Sequence, residues 1–507
     1  MADQAYQIAV IGGGINGAGI AREAAYRGYR TLLVEQGDFA QATSSQSSKL
    51  IHGGIRYLEQ GRLGLVFEAL HERAHLLRIA PHLVHPLRLH IPVYQGDARP
   101  PWMIGIGCWL YDLLAGSRNL EPSRRVPPSE WEQLGGLQRE GLKAVFAYSD
   151  AQVFDARLTL ETALSAAQAG ADIFNYTSLE AAQNQGDGWL LELKDQRNGQ
   201  SRQIQAQVVV NAAGAWAPQL DSWFTQKKKR PGLRFSRGIH LVFDGPATPQ
   251  PAYLTLPEGG RVVFVLPWMG KTLVGTTESD FTDPPTAKVP PSEEEINYLL
   301  KVYGHYFPQL KPQREQVRYI HSGLRSLIDR GERDLGKMSR EAQFEGEQLP
   351  GGAAYWLVLG GKITTYRSLG RKLLDQLGRW NPSDRRAHLD TAVEPLPGAE
   401  PLDQTRLSKA RADLAQAGLG PAQEARWVAA YGTRWVQVAR YLRYRDTNED
   451  LTGQGFLRAE LRYLVQQEMA WTLDDITQRR TLMAYDLKPE QIRILSRALT
   501  EERRWKP

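Results

Sequence analysis

The chain has 507 residues, of which 42% are hydrophobic and 23% charged, the make-up of an ordinary globular protein of two or three domains. Its single cysteine, Cys108, excludes an intrachain disulfide and fits a reducing compartment. The net charge of +6 suits an anionic substrate or an anionic membrane surface, while the absence of a recognition motif argues against nucleic acid.

The first residues, Met-Ala-Asp-Gln-Ala-Tyr, carry neither the basic nor the apolar region of a secretory leader, so none is expected. No run of about 18 apolar residues follows anywhere, so no spanning helix is expected. The run Ile8-Ala9-Val10-Ile11 then meets Gly12, Gly14 and Gly17 in G-x-G-x-x-G spacing. A second apolar run, Leu32-Leu33-Val34, ends in Glu35, 18 positions after Gly17. This is a strand, a glycine turn, a helix, a strand and an acid, the pattern of a dinucleotide site. Gly12 permits the tight turn, Gly14 lets the backbone approach a pyrophosphate, and Gly17 lets helix and sheet pack. The helix dipole then faces the phosphates, and the Glu35 carboxylate accepts from ribose hydroxyls.

The fingerprint alone does not separate NAD from FAD. Beyond Glu35 the chain does not continue into further βα units. It enters a small, hydroxyl-rich stretch, Ala42 to Gly54, suited to close backbone passage along a cofactor. Next comes His71-Glu72-Arg73-Ala74-His75, a literal H-E-x-x-H that on a helix would place two imidazoles on one face for zinc. Lying inside the nucleotide pattern, it reads instead as a helix packed on that domain with partly exposed histidines, and no metal site is assigned. Two later strands end in small residues: Val208-Val209-Val210-Asn211 runs into Ala212 to Trp216, and Tyr355 to Leu359 breaks at Gly360-Gly361-Lys362. A nucleotide domain interrupted by long insertions, with its last strand near residue 358, is the plan of glutathione-reductase-like flavoproteins.

At this point the chain resembles the respiratory FAD-dependent glycerol-3-phosphate dehydrogenases. IGGGINGAGIA, ATSS-x-SSKLIHGG-x-RYLE, PWM-x-x-IG, Tyr148-Ser149-Asp150, Asp155-Ala156-Arg157-Leu158, FV-x-PWM, Gly275-Thr276-Thr277 and GGK-x-TTYR occur in the family's order. The tail resembles the family's helical C-terminal domain at Glu468-Met469-Ala470 and Thr472 to Thr481. Departures include Ser326 in place of proline after Arg325, and Gln466-Gln467 before Glu468.

The resemblance implies an α/β fold: an FAD-binding Rossmann-like domain (1–82, 148–228 and 352–385), an inserted antiparallel-sheet substrate domain (83–147 and 229–351), and a helical domain (402–507). It implies oxidation of sn-glycerol 3-phosphate to dihydroxyacetone phosphate, with hydride passing from C2 to flavin N5 and electrons on to a membrane quinone. The expected cofactor contacts are Gly12, Gly14, Ile15, Asn16, Gly17, Glu35, Thr43, Ser44, Ser45, Ser48, Lys49, Leu50, His52, Ala213, Gly214, Trp216, Gly361, Lys362, Ile363 and Thr364. Arg56, Arg325 and Lys362 would hold or orient the phosphate ester, with Tyr57 as hydroxyl donor, since fixed cations suit a dianion. Arg325 and Lys362 also count among the catalytic residues. His52 and His240 are both candidates for the base that takes the C2 hydroxyl proton.

Rival readings are an oxidase that uses O2, a related FAD-dependent amine or amino-acid oxidoreductase, and a redox-inert FAD-binding protein. The expected location is the cytoplasmic side of the inner membrane, by peripheral attachment to anionic lipid, and a homodimer is compatible with the reading. Two stretches are candidates for that contact. One is Trp102-Met103-Ile104 with Trp109-Leu110 and Leu113-Leu114, beside Arg99 and Arg118; the other is Lys227-Lys228-Lys229-Arg230. The plainer alternatives are a core helix face and a solvated loop.

Overall fold

The fold is taken from a computed structural model that describes residues 5–225, 232–245, 251–257, 261–329, 341–380, 389–444 and 447–505. The tetrabasic stretch 227–230 lies outside them.

The first sheet has eight strands. Its centre is parallel, with Tyr6–Ile11 flanked by Ser201–Asn211 on one side and Thr31–Val34 on the other, and with Ala354–Leu359 beyond Ser201–Asn211. Where they pair at the centre, at residues 8–11, 32–34, 208–210 and 355–359, these strands are almost wholly apolar because both faces are covered. One face packs on the helices Ile15–Tyr26, Asp155–Gln168 and Tyr366–Trp380. On the other lie Trp189, Phe224 and Tyr355, the last two rings stacked at 4.6 Å.

The second sheet has ten strands and is antiparallel except where Ala252–Thr255 runs parallel to Val84–Tyr94. Its long central pairings are Val84–Tyr94 with Leu142–Val153, and Gly232–Asp244 with Val317–Asp329. Two strands depart from the borders expected from sequence. Leu142–Val153 stays in the second sheet past residue 148, because it is one continuous strand leading into the helix Asp155–Gln168. Gln343–Gln348 joins the first sheet, because it forms a hairpin with Ala354–Leu359 in the register Gly346 to Trp356.

The hydroxyl-rich stretch crosses between the sheets. Leu50 and Ile51 pair with Gln152 and Ala151, an attachment to the second sheet. The helix Leu63–Ile79 follows and carries the H-E-x-x-H residues. Its Glu72 carboxylate is buried and paired with Arg367 at 2.5 Å, and Arg73 is paired with Asp150 at 2.9 Å. His71 and His75 are half-buried, the former hydrogen-bonded to the Phe67 carbonyl. This is the helix-packing arrangement. Among the described residues no group of three acidic, histidine or cysteine side chains is gathered for a metal.

The C-terminal helices Gln404–Gln416, Pro421–Tyr431, Arg458–Gln467 and Pro489–Glu502 enclose their own core around Trp427, Trp435 and Leu461. Buried ion pairs join this domain to the helix Asp155–Gln168: Arg157 with Glu468 at 2.8 Å, and Arg434 with Glu161 at 3.7 Å.

Lys49 is wholly buried, and its ammonium lies 2.8 Å from Asp155 Oδ1 and 2.6 Å from the Ser45 carbonyl. Replacing Asp155 by Asn leaves that ammonium without its counter-charge. The expected loss is about 3–5 kcal/mol, read as a lower thermal midpoint in purified protein.

Candidate active site

Three parallel neighbours of the first sheet end at the same edge, and each delivers a glycine-rich turn there. Gly12 to Gly14 follow Ile11, Ala212 to Gly214 follow Asn211, and Gly360 and Gly361 follow Leu359. The carboxyl edge of such a sheet is where ligands bind. A cleft of about 910 Å³ opens there, lined by Gly12, Gly14, Glu35, Thr43, Ser44, Ala213, Gly214 and Trp216 among others.

The cleft has the features a dinucleotide requires. Gly12 lies at φ +112°, and a Cβ on it would stand 2.5 Å from the Ala212 carbonyl oxygen. A Cβ on Gly17 would overlap the Gly12 carbonyl. Glu35 is fixed by N–H groups of Gly13 at 2.7 Å and Gly37 at 2.9 Å. Burial raises its carboxyl above the usual range, and those two donors oppose the rise. Ser44 Oγ accepts from the Ile15 N–H at the helix start, 2.9 Å away. Asn16 donates to the Gly360 carbonyl at 2.9 Å, while its buried Oδ1 has no partner among the described residues. The residues present therefore fit a dinucleotide. Gly12, Gly14 and Asn16 would flank its pyrophosphate and Glu35 its ribose.

Not every expected contact faces the cleft. Lys49 points into its ion pair with Asp155, Leu50 packs in the core, and the Ser45 hydroxyl turns back to the Ala42 carbonyl. These three side chains anchor the segment rather than line the cleft. Ile363 also packs against the core, and Thr364 Oγ1 accepts from the His52 N–H at 3.3 Å.

The second half of the same segment lines a second cavity of about 870 Å³. Ser48, His52, Arg56 and Tyr57 meet Phe264 and Arg325 of the second sheet, and Thr276 and Thr277 of the link between its strands Lys271–Gly275 and Ser279–Phe281. Arg325 is held by the Thr277 carbonyl at 3.0 Å and the Thr276 hydroxyl at 2.5 Å. Lys362, carried in by the turn after Leu359, sits 3.8 Å above the Tyr57 ring. The four residues expected to meet a phosphate ester are thus brought together from the hydroxyl-rich segment, the strand Val317–Asp329 and the Gly360 turn. Gln60, Arg261 and Glu278 also line the cavity, and Arg261 donates to the Glu278 carbonyl at 2.5 Å. Sequence reasoning missed these three. The only available signal was the position of Arg261 at the foot of the FV-x-PWM strand.

The two histidines differ. His52 lines the cavity with its ring edge-on to Phe264. His240 lies behind it, wholly buried, with Nε2 2.9 Å from Ser48 Oγ. Burial, then the charges of Arg325 and Lys49, hold its pKa well below the usual histidine value. His321 is paired opposite it across the strands and shares that depression, from burial, Lys49 and His240.

The family model for FAD dependent oxidoreductases matches residues 7–362, and that for the C-terminal domain of alpha-glycerophosphate oxidase matches 389–505. The chain is 37% identical to a glycerol-3-phosphate dehydrogenase of Pseudomonas aeruginosa, over 99% of this chain and 97% of that protein. It belongs to the glycerol-3-phosphate dehydrogenase family of FAD-dependent oxidoreductases. It is also 36% identical to a D-erythritol 1-phosphate dehydrogenase of Brucella abortus, over 93% of each. Its fold matches the crystal structure of a glycerol-3-phosphate dehydrogenase from Bacillus halodurans complexed with FAD. The TM-score is 0.74 at 26% identity, covering 100% of this chain and 97% of that one. The cofactor of this family is FAD.

Because His240 and His321 are buried neutral while an unfolded imidazole titrates near 6.5, the unfolded chain binds more protons below that pH. Stability is therefore present above about pH 6.5 and lost as the pH falls. The loss should approach about 1.4 kcal/mol per pH unit for each imidazole. Denaturation midpoints measured between about pH 7 and pH 5.5 should show the slope, and His321→Gln should reduce it.

Proposed function

We propose that this chain oxidises sn-glycerol 3-phosphate to dihydroxyacetone phosphate and passes the electrons to a membrane quinone, while lying on the cytoplasmic face of an anionic membrane. The observation that carries the reading is the convergence of Arg56, Arg325 and Tyr57 on one cavity that also holds His52, with Lys362 seated over the Tyr57 ring. A phosphate dianion is the ligand that such a set of fixed cations recognises best.

FAD supplies the acceptor for the C2 hydride when it is bound. Arg325, braced by Thr276 and Thr277, holds the phosphate in one orientation with Arg56, while Lys362 adds charge where the substrate cavity meets the cofactor turn. His52 is the better base of the two, because it lines the cavity. A proton on His240 would sit buried beside Arg325 and Lys49, which opposes it. His240 instead stays neutral and orients Ser48, which does line the cavity.

Support for the membrane half comes from the helix Pro101–Ala115, which is apolar on both sides. Ile104, Cys108, Tyr111 and Ala115 face the core. Trp102, Ile106, Trp109 and Leu113 form an outer stripe, 68%, 56%, 63% and 59% exposed. Phe67 and Leu63 on the adjacent helix Leu63–Ile79 are exposed as well. Of the stretch expected to touch lipid, Ile104 and Leu114 turn to the core, and Met103 and Leu110 line the cavity beneath the helix. No helix among the described residues is long and apolar enough to cross a membrane. An apolar cavity of about 770 Å³ lies between this helix and the substrate cavity, and the two share Ile55, Arg56, Leu254 and Val262 as a wall. It suits a lipid-soluble ring.

Anaerobic addition of sn-glycerol 3-phosphate should bleach the flavin band, and glycerol should not; bleaching by neither would end the reading. D-erythritol 1-phosphate belongs in the same comparison. His52→Asn should lower kcat by roughly 10²- to 10⁴-fold with flavin retained. The acidic limb of its pH–rate profile should vanish, whereas His240→Asn should keep that limb.

Exchanging Trp102 and Trp109 for Ser should weaken co-sedimentation with anionic vesicles by roughly tenfold or more. Unchanged binding would remove this helix from the membrane contact. Turnover with a water-soluble quinone should be unaffected.

A further inference from the structure

We propose that the C-terminal helical domain retains the cofactor: Arg479 and Arg480 grip Asp38, and are positioning residues for the loop that closes on the ribose end of the dinucleotide.

The loop runs from Glu35 to Ser44, and Glu35, Gln36 and residues 40–44 line the cofactor cleft. Asp38 does not line it. Asp38 is wholly buried and points the other way, accepting from Arg480 Nη1 at 2.5 Å, Arg480 Nη2 at 2.8 Å, Arg479 Nε at 2.6 Å and Asn175 Nδ2 at 3.1 Å. The two arginines come from the turn Asp475–Arg480, more than 400 residues along the chain. The turn is itself fixed on the cofactor domain. Asp475 accepts from the Tyr176 hydroxyl at 2.7 Å, while within the helical domain Arg480 donates to the Glu468 carbonyl at 2.8 Å.

The grip is passed to the cleft through short links. Asp38 and Gln41 exchange two hydrogen bonds, Asp38 N–H to Gln41 Oε1 and Gln41 N–H to the Asp38 carbonyl, both 3.1 Å. Next to Gln41, Ala40 lies at φ +62°, a conformation an L-residue adopts only when held there. Its N–H is on the Gly13 carbonyl at 3.2 Å, within the glycine turn. The Gly37 carbonyl accepts from Tyr176 N–H at 2.6 Å. Burial opposes a charge on Asp38, but Arg480 and Arg479 outweigh it and keep the carboxylate ionised. Removing either side would leave charge uncompensated in the interior, and the loop would move to hydrate it. No residue of 475–485 lines the cleft, so any effect of this turn on the cofactor is relayed, either through Asp38 and its loop or through Tyr176, whose neighbours Thr177 and Ser178 line the cleft; substitution at Asp38 isolates the first route.

By linkage the coupling is reciprocal: whatever tightens the turn on the loop tightens FAD, and FAD must tighten the turn. The test compares full-length variants as apoprotein, titrated with FAD by flavin fluorescence. Asp38→Asn and Arg480→Gln are each expected to raise the FAD Kd roughly tenfold or more. The double variant should be no weaker than the weaker single, since both remove one interaction. The control is Arg434→Gln, which breaks two ion pairs at the same domain junction, with Glu161 and Glu468 rather than with Asp38. It should lower the thermal midpoint and leave the Kd within about twofold. A folded Asp38→Asn protein with wild-type FAD affinity would overturn the proposal. So would an Arg434→Gln protein that loses FAD equally, which would reduce the arginines to domain docking.

If Asp38→Asn does not fold, the wild-type protein decides by hydrogen exchange. FAD should slow exchange at 475–485 as well as at 12–17. Slowing at 12–17 alone would overturn the coupling and leave the cofactor assignment intact.

Discussion

One buried carboxylate organises the active site. Asp155 accepts from the Lys49 ammonium, the Ser47 N–H and the Ser47 hydroxyl at 2.7–3.1 Å, all from the stretch that crosses between the two sheets. A buried lysine tolerates few alternative environments, because removing its counter-charge exposes the whole desolvation cost. The crossing stretch is therefore pinned at Lys49, and everything on it is placed relative to that point. Residues before it, Thr43 and Ser44, reach the cofactor cleft, while residues after it, His52, Arg56 and Tyr57, reach the substrate cavity. The positive φ of Lys49, +58°, belongs to the same pinning. Cofactor and substrate sites are thus joined by one short piece of backbone, pinned at Lys49 and paired with the second sheet at Leu50 and Ile51, rather than by two domains that must find register independently.

The same physics recurs at the junction with the C-terminal domain, where Arg157, Glu161, Arg434, Glu468, Asp38 and Arg480 are all buried and mutually paired. Pairs of this kind add little net stability over well-packed apolar side chains. What they impose is alignment. Sliding the helical domain by one residue would strand several charges at once, whereas an apolar interface would tolerate the shift. That is the property required of a domain whose turn must meet one aspartate in the cofactor loop.

The first sheet and its cleft were legible from the sequence, because the glycines, the flanking apolar runs and Glu35 are a local pattern with a local cause. The substrate block was legible through the resemblance, since SSKLIHGG-x-RYLE carries Arg56 and Tyr57 on consecutive positions. What escaped were facts of direction. Lys49 sits amid cofactor contacts, yet its side chain turns toward Asp155, over a hundred residues away. H-E-x-x-H has the spacing of a zinc site, but Glu72 faces Arg367, a partner no local pattern names. Asp38 with Arg480 is a pair 442 positions apart, which a single sequence does not reveal. The helix Pro101–Ala115 shows the same limit: an apolar residue predicts burial against something, and the sequence does not say whether that is protein or lipid.

Under the proposed reading, that helix bears on how two very different reactants, a phosphate ester and a membrane quinone, are kept apart. A phosphate ester arrives from water and needs fixed cations; a quinone arrives from lipid and needs an apolar channel. If both used one mouth, the cations that bind the first would be desolvated by the second at a cost of several kcal/mol. The two cavities share a wall made of Ile55, Leu254, Val262 and Arg56. Arginine suits that position, since its aliphatic stem packs against apolar surface while the guanidinium stays on the polar side. Arg99, at the far side of the apolar cavity, is already neutralised by Glu59 at 2.5 Å, so its charge does not compete for the phosphate. Under the proposed reading, electrons rather than molecules cross the wall, and Arg56 marks where the polar chemistry ends.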